Sequence, residues 1–112
     1  MKKKESIRDL VKTIYTAAWD TKAMDMIILD LKKVASFADY LVLCSGTSQR
    51  QVGAIADHIK TAVKKKFVRN PLSIEGVEQS SWILIDYGDV VCHVFTEEAR
   101  QFYSLDDLWH DA

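Results

Sequence analysis

At 112 residues, 48% hydrophobic and 28% charged, the chain has room for one ordinary domain with a single core, read as residues 1–112. No uninterrupted apolar run is long enough to span a bilayer, which argues against a membrane protein. The net charge of −1 conceals an asymmetry: residues 1–73 carry 14 Lys and Arg against 7 Asp and Glu, whereas residues 74–112 carry one, Arg100, against 9 acidic residues. The acidic last third would repel phosphate, so direct sequence-specific nucleic-acid binding is not expected there, and a basic protein would be drawn to it.

The basic start, Met-Lys-Lys-Lys-Glu-Ser, leads into an amphipathic stretch and does not read as a secretory leader, so a cytoplasmic location is expected. Lys2-Lys3-Lys4 reads as a tail that could also touch RNA. Lys4 to Trp19 is predicted to be a helix, because Ile7, Leu10, Val11, Ile14, Tyr15 and Ala18 recur at three- and four-residue steps. Met24 to Leu31 reads as a strand and Lys32 to Ala38 as a loop. Asp39 to Cys44 is a second strand, apolar on both faces, which suits the interior of a sheet. Ser45-Gly46-Thr47-Ser48 closes it, with Ser48 as the N-cap of a helix from Gln49 to Lys66. That helix buries Val52, Ile55, Ala56, Ile59, Ala62 and Val63, and Lys64-Lys65-Lys66 suits the negative end of its dipole.

After Pro71 comes a short strand around Leu72 to Ile74, followed by the most informative stretch, Trp82 to Phe95. Trp82 to Asp86 and Val90 to Phe95 are rich in β-branched and aromatic residues, with Tyr87-Gly88-Asp89 as the turn between them. Strand alternation places Trp82, Leu84 and Asp86 on one face and Ile83 and Ile85 on the other. Both faces are therefore largely apolar, and either further protein or a partner covers the first. Glu97 to Tyr103 is predicted helical, and Ser104 to Trp109 is expected to pack through Leu105, Leu108 and Trp109. The fold class is α/β (α+β): a mixed sheet of about five strands with helices mainly on one face.

No catalytic or metal constellation emerges from spacing. Ser45-Gly46-Thr47-Ser48 has the position of a phosphate cradle but lacks the further glycines and lysine of a P-loop, so a plain strand-to-helix turn competes with it. Asp86 and Asp89 are read as turn formers before they are read as magnesium ligands. His58, His93 and His110 have no ligand spacing, and no metal or cofactor is expected. Cys92 and His93 point to opposite faces of a strand, so they cannot pair as nucleophile and base. Cys44 and Cys92 are expected to be buried free thiols.

Three blocks resemble the ribosomal silencing factor, or Iojap, family. They are Asp39-Tyr-Leu-Val-Leu-Cys-Ser-Gly-Thr-Ser-Gln-Arg-Gln-Val-x-Ala-Ile-Ala-Asp-His58, Trp82-Ile-Leu-Ile-Asp-Tyr-Gly-Asp-Val-Val-x-His-Val-Phe95, and Glu98-Ala-Arg-x-Phe-Tyr-x-Leu-Asp-Asp-Leu-Trp109, with Glu75-Gly76 ahead of the second. The resemblance runs from Lys22-Ala23-x-Asp25 onward. It implies a nucleotidyltransferase-like fold without catalytic function. It also implies a translational repressor that binds the large ribosomal subunit through its basic ribosomal protein numbered fourteen. Bound there, such a protein blocks joining of the small subunit under nutrient limitation. It places Trp82 in the binding surface; Leu84, Asp86, Tyr87, Asp89 and Tyr103 are added from strand alternation and proximity. Free of the ribosome, the same apolar patch could form a homodimer. The alternative is a nucleotidyltransferase-like enzyme or nucleotide-binding protein, which the absence of an Asp-x-Asp or Asp-x-Glu pair after Gly46-Thr47-Ser48 disfavours.

Overall fold

Ser6 sets the first element in place: its side chain accepts the Asp9 N–H at 3.0 Å and caps helix α1, Ile7–Asp20. In the computed structural model, which describes residues 6–34 and 36–102, α1 is followed by strands β1 (Met24–Asp30) and β2 (Tyr40–Gly46) and helix α2 (Gln49–Phe67). Strands β3 (Ser73–Glu75), β4 (Trp82–Asp86) and β5 (Val90–Thr96) and helix α3 (Glu97–Phe102) complete the order. The expected terminal packing of Leu105, Leu108 and Trp109 lies outside the described residues.

The sheet has five strands in the order β1-β2-β5-β4-β3. Only β2 and β5 run parallel; the other three neighbouring pairs are antiparallel, which gives the mixed sheet the sequence predicts. The two central strands are buried on both faces, as their unbroken apolar runs require. β1 forms one edge, and its pairing with β2 slips by a residue between Met24 and Ile27, where Asp25 takes a positive φ of 50°.

Helices α1 and α2 lie against one face. Leu10 and Ile14 of α1 and Val52, Ile55, Ile59 and Val63 of α2 pack with Val42, Cys44, Ile83, Ile85, Cys92 and Val94 of the sheet. Both cysteines are free and buried in this layer, and burial pushes the Cys44 thiol up to about 12 and Cys92 well above its usual range. The opposite face carries a smaller cluster, Leu31, Ala38, Leu41, Leu43, Val91 and Phe95, with Leu29, Trp82 and Leu84 packed beside it. α3 is tied to this second face by Arg100, which is 6% exposed and whose Nη1 donates to Ser45 Oγ and to the Asp25 carbonyl, each at 2.8 Å.

Candidate partner-binding surface

The turn between β4 and β5 decides which side chains of the hairpin meet. Gly88, at φ 94°, donates its N–H to Asp86 Oδ1 at 2.7 Å, and Tyr87 N–H donates to the Val90 carbonyl at 2.9 Å. The register that follows pairs Asp86 with Val91, Leu84 with His93 and Trp82 with Phe95. Because side chains alternate, Trp82, Leu84, Asp86, Val91, His93 and Phe95 share the face away from α1 and α2. Trp82, Leu84 and Asp86 are each half-buried there, on the face where the expectation puts them.

Trp82 is held from two sides. Its ring lies 5.3 Å from that of Phe95 at 48°, and its Nε1–H donates to His93 Nδ1 at 2.9 Å. His93 in turn stacks on Phe95, centroids 5.8 Å apart and planes 13° apart. Only 7% of His93 is exposed, and burial lowers its pKa to about 4, so the ring is neutral at neutral pH. With Nδ1 accepting, the proton sits on Nε2. His93 and Phe95 were not among the predicted site residues. The signal for them was the alternation that separates His93 from Cys92, carried across the hairpin to Trp82.

The remaining predicted residues divide. Tyr87 stands corrected: it is 1% exposed and packs in the helix-side core with Ile83 and Ile85, so its ring offers nothing to a partner. Its hydroxyl is buried with no hydrogen-bond partner among the described residues. Asp89 is half-buried and accepts from Arg69 Nη2 at 2.9 Å, while the same guanidinium donates to the Tyr87 carbonyl and clamps the turn. Tyr103 lies outside the described residues.

Beside Trp82 an open cleft of about 460 Å³ is walled by Ile74, Gly76, Val77, Glu78, Gln79 and the indole itself. Gly76 lies in this lining at φ 84°, and a Cβ there would fall 2.1 Å from the Trp82 carbonyl oxygen. The cleft thus mixes apolar groups with the polar side chains of Gln79 and Ser81 and the carboxylate of Glu78.

The strand-to-helix turn at Ser45 to Ser48 is internally engaged. Thr47 donates N–H and hydroxyl to Gln51 Oε1 at 2.6 and 2.8 Å, and Ser48 Oγ accepts the Gln51 N–H at 3.1 Å. That is the plain capped turn. Asp86 and Asp89 are committed to the Gly88 N–H and to Arg69, and among the described residues no group of three His, Cys, Asp or Glu is placed to hold a metal ion. No helix of the described residues is long and apolar enough to cross a membrane.

A family model described as ribosomal silencing factor during starvation matches residues 4–112. The chain belongs to the ribosomal silencing factor family. It is 38% identical over 107 residues to the ribosomal silencing factor of Halalkalibacterium halodurans, covering 96% of this chain and 91% of that one. It is 37% identical over 105 residues to the silencing factor of Bacillus subtilis, covering 94% and 88%. A crystal structure of a protein from Chromobacterium violaceum superposes with a TM-score of 0.88 at 34% identity, covering 94% of this chain and 87% of that one. The five-stranded mixed sheet with its helices is thus shared with a solved structure of similar sequence.

Proposed function

We propose that this ribosomal silencing factor family member represses translation by occupying the face of the large ribosomal subunit that the small subunit needs. It docks on the basic ribosomal protein numbered fourteen, acts in the cytoplasm when nutrients are short, and catalyses no reaction of its own. The observation that carries this reading is the near full-length match to proteins named ribosomal silencing factors.

The second sheet face supports the choice of surface. Trp82 and Leu84 give it a half-buried aromatic and aliphatic centre, and Asp86 stands beside them. Glu78 in the neighbouring cleft and the acidic last third of the chain suit a cationic partner. Tyr103 is assigned to the same proposed surface from the sequence. The same patch forms a homodimer when the protein is free of the ribosome.

The test is sedimentation with purified large subunits, small subunits and joined ribosomes. The protein is expected to pellet with free large subunits and to reduce joining when added before small subunits. Equal binding to both subunits, or undisturbed joining at saturating protein, would overturn the proposal.

A further inference from the structure

We infer that His93 is a positioning residue for partner binding, holding the Trp82 indole in the orientation that docks; the inference rests on the proposed large-subunit surface. Trp82 and His93 are diagonal neighbours across the β4–β5 pair, since Trp82 faces Phe95 and Leu84 faces His93. The diagonal spacing is within reach of two aromatic rings, and the 2.9 Å bond from Nε1–H to Nδ1 uses it. His93 cannot easily move to follow the indole. It stacks on Phe95, which is fully buried, and is itself almost wholly enclosed.

Two consequences favour docking. The polar atom of Trp82 is satisfied within the protein, so the indole presents carbon surface to a partner with no N–H left to desolvate at contact. The bond also selects one rotamer before the partner arrives. A ring free to sample several would bind more weakly by the fraction of time spent in the right one. Together the lost acceptor and the lost preorganisation are expected to weaken binding about tenfold.

The experiment compares wild type, His93→Asn, His93→Leu and Trp82→Ala in pelleting titrations with purified large subunits. Asparagine can place an amide oxygen near the position of Nδ1, whereas leucine fills the space with no acceptor. His93→Leu is expected to bind about tenfold more weakly and His93→Asn within about threefold of wild type. A structural role alone would not separate these two variants by the presence of an acceptor. In parallel, a nitrogen-15 spectrum of the wild type should show scalar coupling between the Trp82 indole nitrogen and His93 Nδ1 through the hydrogen bond.

Absence of that coupling overturns the inference even if His93→Leu fails to fold. So does equal weakening by both His93 variants, or wild-type binding by a folded His93→Leu when Trp82→Ala is weak. Failure of the proposed function looks different: wild type would not pellet with large subunits, or Trp82→Ala would pellet as wild type does. Either result overturns the positioning role as well, through loss of the partner and not through the His93 variants.

Discussion

Trp82 and Phe95 stand directly opposite each other in the β4–β5 pair, their ring centroids 5.3 Å apart. Phe95 is wholly enclosed while Trp82 keeps part of its surface in solvent, so one aromatic pair joins the interior of the second face to its outside. A fully buried tryptophan cut to alanine costs about 3–5 kcal/mol. Trp82→Ala is expected to cost less, about 2 kcal/mol, because part of the ring is already hydrated. Large-subunit binding should fall about thirtyfold. A urea melt beside a binding titration checks both. Binding that stays at the wild-type level would move the docking surface away from β4.

His93 gives the fold an acid sensitivity with a definite sign. Its pKa is near 6.5 in the unfolded chain and lowered to about 4 in the fold by burial, so the unfolded state takes up the proton first. The stability tied to the neutral ring is complete above about pH 6.5. It drains away as the pH falls toward 4, by up to about 3 kcal/mol at the acid limit. The informative quantity is the wild-type urea stability minus that of His93→Asn at pH 7 and at pH 4.5, which isolates the contribution of His93. The difference should narrow on acidification; parallel curves would contradict a buried neutral His93.

Tyr87→Phe removes a buried hydroxyl that has no partner among the described residues and leaves the ring in place. The variant is expected to match or exceed wild type by about 1 kcal/mol in urea, since an unsatisfied buried donor carries its desolvation cost with no return. A loss of more than 1 kcal/mol would mean the hydroxyl is bonded.

Gly76→Ala should be severe. The backbone is at φ 84°, and the added Cβ would lie 2.1 Å from the Trp82 carbonyl oxygen, a contact no rotation of a side chain can relieve. A loss of about 3 kcal/mol or more is expected, with the β3–β4 connection displaced and the cleft beside Trp82 reshaped. Thermal unfolding checks the first. Wild-type stability would show that the loop is held elsewhere.

The hydrophobic patterning made much of this architecture readable. Central positions for β2 and β5 follow from runs with no polar alternation, and the buried stripes of α1 and α2 follow from their three- and four-residue steps. Tyr87 shows why the rest was harder. The Tyr87-Gly88-Asp89 composition reads as a tight turn, yet the alternation of Ile83 and Ile85 continues one residue past β4 and carries the ring into the core. Turn chemistry and strand period competed at that position, and burial of a large ring outweighed the turn's preference for solvent. From the sequence, His93 reads as a candidate metal ligand or a catalytic partner of Cys92, and neither reading points to Trp82. Its real neighbour is eleven residues away, and only the hairpin register reveals it. The hold of Arg100 on Ser45 and Asp25 spans 55 and 75 residues, a separation that no local pattern encodes.

The irregularity in β1 has a bearing on how the protein stays dispersed. Among the described residues β1 is an edge of the sheet, with Ile27 and Ile28 both exposed along it. A straight apolar margin of that kind is a growth template on which a second strand, and then a fibril, can be laid. The extra residue near Asp25 throws the margin out of step, so a strand matched to Ile27 through Asp30 loses its register at Met24. Arg100 Nη1 donates to the Asp25 carbonyl at this irregularity. Arg100→Ala is therefore expected to aggregate faster than wild type, and light scattering at equal concentration checks it.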